Sequence, residues 1–125
     1  MISALLTSIK FKRMYIPVLQ EFSRFATEYN THNSIQRCVA ARVVSMLQGD
    51  PKRIVNIGCG TGAVYEALDW PVDSFLAVDF SREMLSEHPD DKIVFKQQQD
   101  FNQPEVFDTI QSFKPDSIVS ASALQ

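Results

Sequence analysis

The chain has 125 residues, 45% of them apolar and 22% charged, with a formal net charge of −3. That length suits one compact domain of about 100–150 residues, and the composition excludes a disordered or collagen-like chain. Two cysteines, Cys38 and Cys59, are too few for a disulfide framework and point to a reducing, cytoplasmic setting.

No apolar run approaches the ~18 residues of a membrane span. The opening stretch from Ile2 to Ile9 is mildly apolar, but Lys10, Lys12 and Arg13 follow it, the wrong polarity for a secretory signal. The first predicted helix opens near Asn33, a capping residue with Gln36 three positions on. Ile35, Val39, Val43, Met46 and Leu47 then share one face, and Gly49-Asp50-Pro51 stops the helix. Ile54–Ile57 reads as a strand, followed by glycines and a short helix from Thr61 to near Asp69, which Trp70-Pro71 ends. A second strand is expected at Phe75–Val78, then a helix over Arg82–Glu87 capped by Ser81 and closed before Pro89. Ile93–Phe95 is the third strand. A helix from Pro104 carries Val106, Phe107, Ile110 and Phe113 at helical spacing, and a break at Lys114-Pro115-Asp116 leads to a fourth strand, Ser117–Ala121.

These strands are continuous apolar runs and do not alternate with polar residues, as expected where both faces of a parallel sheet are covered by helices. Helical crossovers between successive strands favour right-handed parallel connections. The expected fold is therefore open α/β, doubly wound and mostly parallel, with its ligand beyond the carboxyl ends of the strands.

Charge is unevenly spread: residues 1–62 sum to +5 and residues 63–125 to −8. The halves can complement each other within one fold, or the basic half can present a face to an acidic partner. The basic residues lack the clustering and aromatic interleaving of a nucleic-acid platform, so DNA and RNA are not expected partners.

The first strand runs into Val55-Asn56-Ile57-Gly58-Cys59-Gly60-Thr61-Gly62. Glycine is needed where backbone adopts positive φ or where a ligand must touch it, so this loop is either a ligand cradle or a tight strand-to-helix turn. The second strand ends at Asp79, 21 residues after Gly58. A carboxylate there can accept protons from both ribose hydroxyls of a nucleoside, or can simply flank the next helix. After the third strand come Asp100 and Phe101: an acceptor for an adenine amino group, with Phe101 or Phe80 for the ring face. The spacing is GxGxG and not GxGxxG, which argues against a nicotinamide dinucleotide.

From about Phe22 to Gln125 the chain resembles the class I S-adenosylmethionine-dependent methyltransferases, in VNIGCGTG (55–62), AVDFSREML (77–85), QQDF (98–101) and DSIVSASALQ (116–125). The resemblance implies a Rossmann-like methyltransferase fold and S-adenosyl-L-methionine as cofactor. Gly58, Cys59, Gly60 and Gly62 would lie against its methionine part, Asp79 and Phe80 against its ribose, and Asp100 and Phe101 around its adenine. The stretch FSRFATEYNTHNSIQRCVA (22–40) is similar to the start of the BioC-type malonyl-acyl-carrier-protein O-methyltransferases of biotin synthesis, through Phe22, Ser23, Arg24, Ala26, Tyr29 and Gln36. That likeness implies carboxyl O-methylation of a malonyl thioester on acyl carrier protein, with Tyr29 and Phe25 as lid contacts over the cofactor. The chain is expected to form one domain, with residues 1–50 as a helical cap and 51–125 as the nucleoside-binding core.

Three departures from the family are visible. Asn56 stands where an Asp is usual, replacing a charged contact to the cofactor's ammonium by a neutral one. Ala121 stands where an Asn is common. The family continues well past the position of Gln125, so the chain is expected to be truncated after its fourth strand. That predicts weak binding, no turnover and self-association through an exposed fourth strand. An ionised carboxylate acceptor needs no general base, and no catalytic residue can be nominated. Cys59 has no histidine near it in sequence, and the histidines and cysteines show no metal-ligand spacing. The rival reading is a nucleoside-binding module without turnover, or a methyltransferase of this fold acting on another small molecule.

Overall fold

Each apolar run flanked by turn residues becomes a strand, and each strand is followed by a helix. The computed structural model describes residues 32–121. In chain order these form α1 (His32–Ser45), β1 (Arg53–Ile57), α2 (Ala63–Ala67), β2 (Ser74–Asp79), α3 (Arg82–Glu87), β3 (Val94–Gln98), α4 (Glu105–Phe113) and β4 (Ser117–Val119). The strands make one sheet in the order β3-β2-β1-β4, and every pair is parallel. This is the doubly wound α/β arrangement expected from the continuous apolar strands.

Side chains alternate across a strand, so β1 splits its residues between two cores. On one face Ile54 joins Phe75, Ala77 and Val119 under Val39, Ala40, Val43 and Val44 of α1, Val64 of α2 and Leu85 of α3. On the other face Val55 and Ile57 join Leu76 and Val78 under Val106 and Ile110 of α4. Each buried Val, Leu, Ile or Phe among these contributes about 1.5–3 kcal/mol relative to exposure. Helix α1 thus packs into the same core as the sheet and α2. Residues 1–31, the greater part of the expected cap with Tyr29 and Phe25, lie outside the described residues.

Several boundaries differ from expectation for identifiable reasons. Helix α1 includes His32, so Asn33 already sits inside it. At its other end Ser45 is the last helical residue, and Met46 and Leu47 continue as a turn, bonded to the carbonyls of Val43 and Val44. Helix α2 is confined to Ala63–Ala67 because Gly62 at its N-cap has φ 106°, outside helical space, and Leu68 at its other end is already extended, with ψ 130°. Strand β3 starts one residue later and runs three residues further than Ile93–Phe95, because pairing through Val78↔Gln97 and Asp79↔Gln98 is made by backbone and asks nothing of the side chains. Strand β4 closes at Val119 rather than Ala121, level with Asn56 of β1. The loop before β4 is pinned by Asp116, whose Oδ2 accepts from the backbone N–H groups of Lys52 and Arg53, 2.9 Å each.

Candidate functional site

Because all four strands point the same way, the carboxyl ends of β1, β2 and β3 lie along one edge of the sheet. The glycine loop leaves β1 there. Its first two amides, of Gly58 and Cys59, both donate to the carbonyl of Val78 at 2.8 and 3.0 Å, which ties the loop to the end of β2. Positive φ at Gly58 (69°), Gly60 (56°) and Gly62 (106°) turns the chain back towards α2.

The three glycines do different work. A Cβ placed on Gly60 would meet nothing within 4 Å, so its backbone is open to an approaching group. A Cβ on Gly62 would come within 2.5 Å of Pro89 Cδ and 3.3 Å of His88 Cδ2. Gly62 is therefore required by the fold itself. Its neighbour in space, the His88-Pro89 segment, carries no sequence signal beyond a proline after a helix.

Asp79 joins two of the converging segments. It is 6% exposed. Its Oδ2 accepts from Gly60 N–H and its Oδ1 from Ser81 N–H, both at 2.9 Å. Its backbone carbonyl accepts from Gln99 N–H at 3.0 Å, bringing in the segment after β3. An ionised carboxylate offers about four acceptor positions, so half of that capacity remains for another donor. Ser81 caps α3 as expected, its Oγ accepting from Met84 N–H at 3.2 Å.

Phe80, 68% exposed, extends from this edge into solvent. Phe101 is half-buried against the core under α4, so of the two aromatics Phe80 offers the freer ring. Asp100 is exposed and uses Oδ1 to accept from Asn102 N–H at 2.9 Å, closing a local turn with its other oxygen left over. Tyr29 lies outside the described residues.

Asn56 is 1% exposed, and neither Oδ1 nor Nδ2 has a partner in the protein. Buried polar groups are nearly always paired, so an orphaned amide two residues before the loop is a strong local signal. The Oε1 of Gln99 is likewise buried and unpartnered. Sequence reading missed it, because one glutamine in a run of three gave nothing to select it.

Cys59 is withdrawn from chemistry. Its side chain belongs to the core under α1 and α2, and burial, with the Asp79 carboxylate beside it, pushes the thiol up to about 12. Only its backbone remains for a ligand. Among the described residues no group of three or more His, Cys, Asp or Glu side chains could hold a metal ion, and no helix is long and apolar enough to cross a membrane. Compared with known proteins, the chain matches no family model and no curated sequence.

Proposed function

We propose that this chain binds S-adenosylmethionine across the carboxyl ends of β1, β2 and β3, as the cofactor-binding part of a cytoplasmic methyltransferase. The observation that carries the reading is the Asp79 carboxylate. It is fixed by two backbone amides, next to a Gly60 backbone that a side chain would cover, and has acceptor capacity to spare. The orphaned Asn56 amide is a second feature that fits a polar ligand.

In this reading Asp79 accepts from the ribose hydroxyls, while Gly58, Cys59 and Gly60 offer backbone to the methionine part. Asn56 faces its polar end, and Phe80, Asp100 and Phe101 frame the adenine. When bound, the cofactor supplies a sulfonium methyl as electrophile, so the protein's task is to position it and exclude water. A carboxylate acceptor is ionised at neutral pH and asks no base of the chain. On the resemblance of residues 22–40 the acceptor is a malonyl thioester on acyl carrier protein. Arg24, Arg37 and Arg42 would steer that acidic partner, with association that weakens as salt rises.

Calorimetric titration of the chain with S-adenosylmethionine, its demethylated product and NAD tests the reading. Binding of the first two without NAD is expected. Preference for NAD, or no binding of any of the three, rejects it. Binding without transfer of labelled methyl to malonyl-acyl carrier protein is the outcome expected of a cofactor-binding part tested alone.

A further inference from the structure

His88 is 2% exposed and sits outside the set of residues assigned to the ligand. Its ring packs against both Phe75 of β2 (centroids 5.9 Å apart) and Tyr65 of α2 (5.7 Å), which also touch each other edge to face at 5.1 Å. Nδ1 lies 3.1 Å from the carbonyl oxygen of Pro89. A carbonyl only accepts, so Nδ1 carries the proton of the neutral ring and Nε2 is a bare lone pair. That Nε2 is buried with no partner. A second proton must go there, producing a charged donor with nothing to receive it.

The same segment supports the glycine loop. Pro89 and His88 are the atoms that a Cβ on Gly62 would strike, so loop and segment are in close contact. Cδ2, the His88 ring atom nearest the Gly62 position, is bonded to Nε2, so the ring edge that would take the second proton lies against the loop.

The charged and titratable groups around the ring come from three places. From β3, Lys96 donates its ammonium to the His88 carbonyl at 2.7 Å and opposes a second positive charge. From α2 come the Tyr65 ring and Glu66, and from the loop between α3 and β3 Asp90, which pairs with Lys96 at 2.7 Å, and Asp91, 3.5 Å from the Tyr65 hydroxyl. Glu66 and Asp90 favour the charged ring, but burial outweighs them and holds His88 below the ordinary histidine range.

We propose that protonation of His88 loosens the Gly58–Gly62 loop, making the loop a proton-sensitive element that holds its ligand at neutral pH and releases it in mild acid. The release clause rests on the ligand reading above; the loosening does not. The sign follows from linkage. A histidine held neutral in the folded chain takes up its proton more readily when its surroundings open. Closure is therefore fully favoured above about pH 6.5 and is lost as pH falls below it.

NMR of the ligand-free 125-residue chain tests the loosening, with His32→Gln assigning the two histidine rings. The His88 ring signals are expected to titrate with a midpoint below 6.5, and the amide signals of Gly60 and Gly62 to move with that same midpoint. In His88→Phe, an apolar ring for the same slot, the loop shifts at that midpoint should vanish. A His88 midpoint at or above 6.5, loop amides that ignore it, or loop shifts that persist in His88→Phe would each overturn the proposal. If His88→Phe does not fold, co-titration in the unmodified chain decides alone. In a second arm, S-adenosylmethionine affinity should fall with pH by at most about tenfold per unit, the limit for one proton. Affinity independent of pH would remove the release clause. No binding at any pH would count against the ligand reading and leave the loop titration standing.

Discussion

Replacing Asp79 with alanine takes the acceptor away from two half-buried backbone donors, Gly60 N–H and Ser81 N–H, as well as from any ligand hydroxyl. Hydrogen bonds to a charged group contribute about 1.5–3 kcal/mol, so S-adenosylmethionine affinity should fall roughly 10- to 100-fold. The circular dichroism spectrum should remain that of a folded chain. Unchanged affinity would remove Asp79 from the site. The glycines allow a sharper comparison. Gly60→Ala meets open space and carries only the strain of a left-handed backbone, about 1–2 kcal/mol. Gly62→Ala adds a steric conflict with the Pro89 ring. Urea midpoints should therefore drop further for Gly62→Ala than for Gly60→Ala, while Gly60→Val should be the change that blocks ligand approach. Equal midpoints for the two alanine variants would mean that Pro89 yields without cost, contrary to the packing argument.

At the scale of elements, legibility followed burial. The segments Ile54–Ile57 and Phe75–Val78 are plain in the sequence because both faces of β1 and β2 are covered, which favours apolar residues at every position, Asn56 being the exception. The edge strand β3 was only half legible. Lys96, Gln97 and Gln98 pair through backbone while their side chains reach water or, for Lys96 and Gln98, the carbonyls of His88 and Phe80. Helix α3 matched because its signals are local, Ser81 at one end and Pro89 beyond the other. The site was legible as residue types at strand ends. The supports beneath it, Pro89 under Gly62 and Gln99 beside Asp79, arise from contacts between elements and leave no mark in spacing. Asp116 is another such support. It holds the start of β4 against the start of β1 by accepting from Lys52 and Arg53 N–H, and its own N–H donates to the Arg53 carbonyl at 2.7 Å. Because the carboxylate is exposed, its loss in Asp116→Ala should cost about 1.5 kcal/mol, the lower end of the range for bonds to a charged group. Hydrogen exchange should then quicken at β4 amides ahead of those of β2. Uniform change across the sheet would show that β4 is not docked through this residue.

At the scale of the whole molecule, the sheet formed by the described residues has β3 and β4 as its outer strands, and they are defended differently. β3 carries Lys96 and two exposed glutamines, and a charge on an edge discourages pairing with another chain. Its one exposed aromatic, Phe95 at 52%, is partly covered by Phe113, their rings 6.5 Å apart. β4 is Ser117-Ile118-Val119, with no charge on the strand itself. It is three residues long, and Ile118 is only half-buried beside the α4 core. An uncharged apolar edge is a template for strand addition, and two copies related by a twofold axis would pair β4 against β4 in antiparallel fashion. We therefore expect sedimentation velocity to show concentration-dependent association of this chain, reversed by Ile118→Lys, which places a charge on that edge. A urea titration must show that Ile118→Lys is still folded, since the side chain also touches the core. Phe95→Ser, on the opposite edge, should leave association unchanged. A chain that stays monomeric across the concentration range, or one whose association responds to Phe95→Ser and not to Ile118→Lys, would mean that β4 is not the adhesive edge.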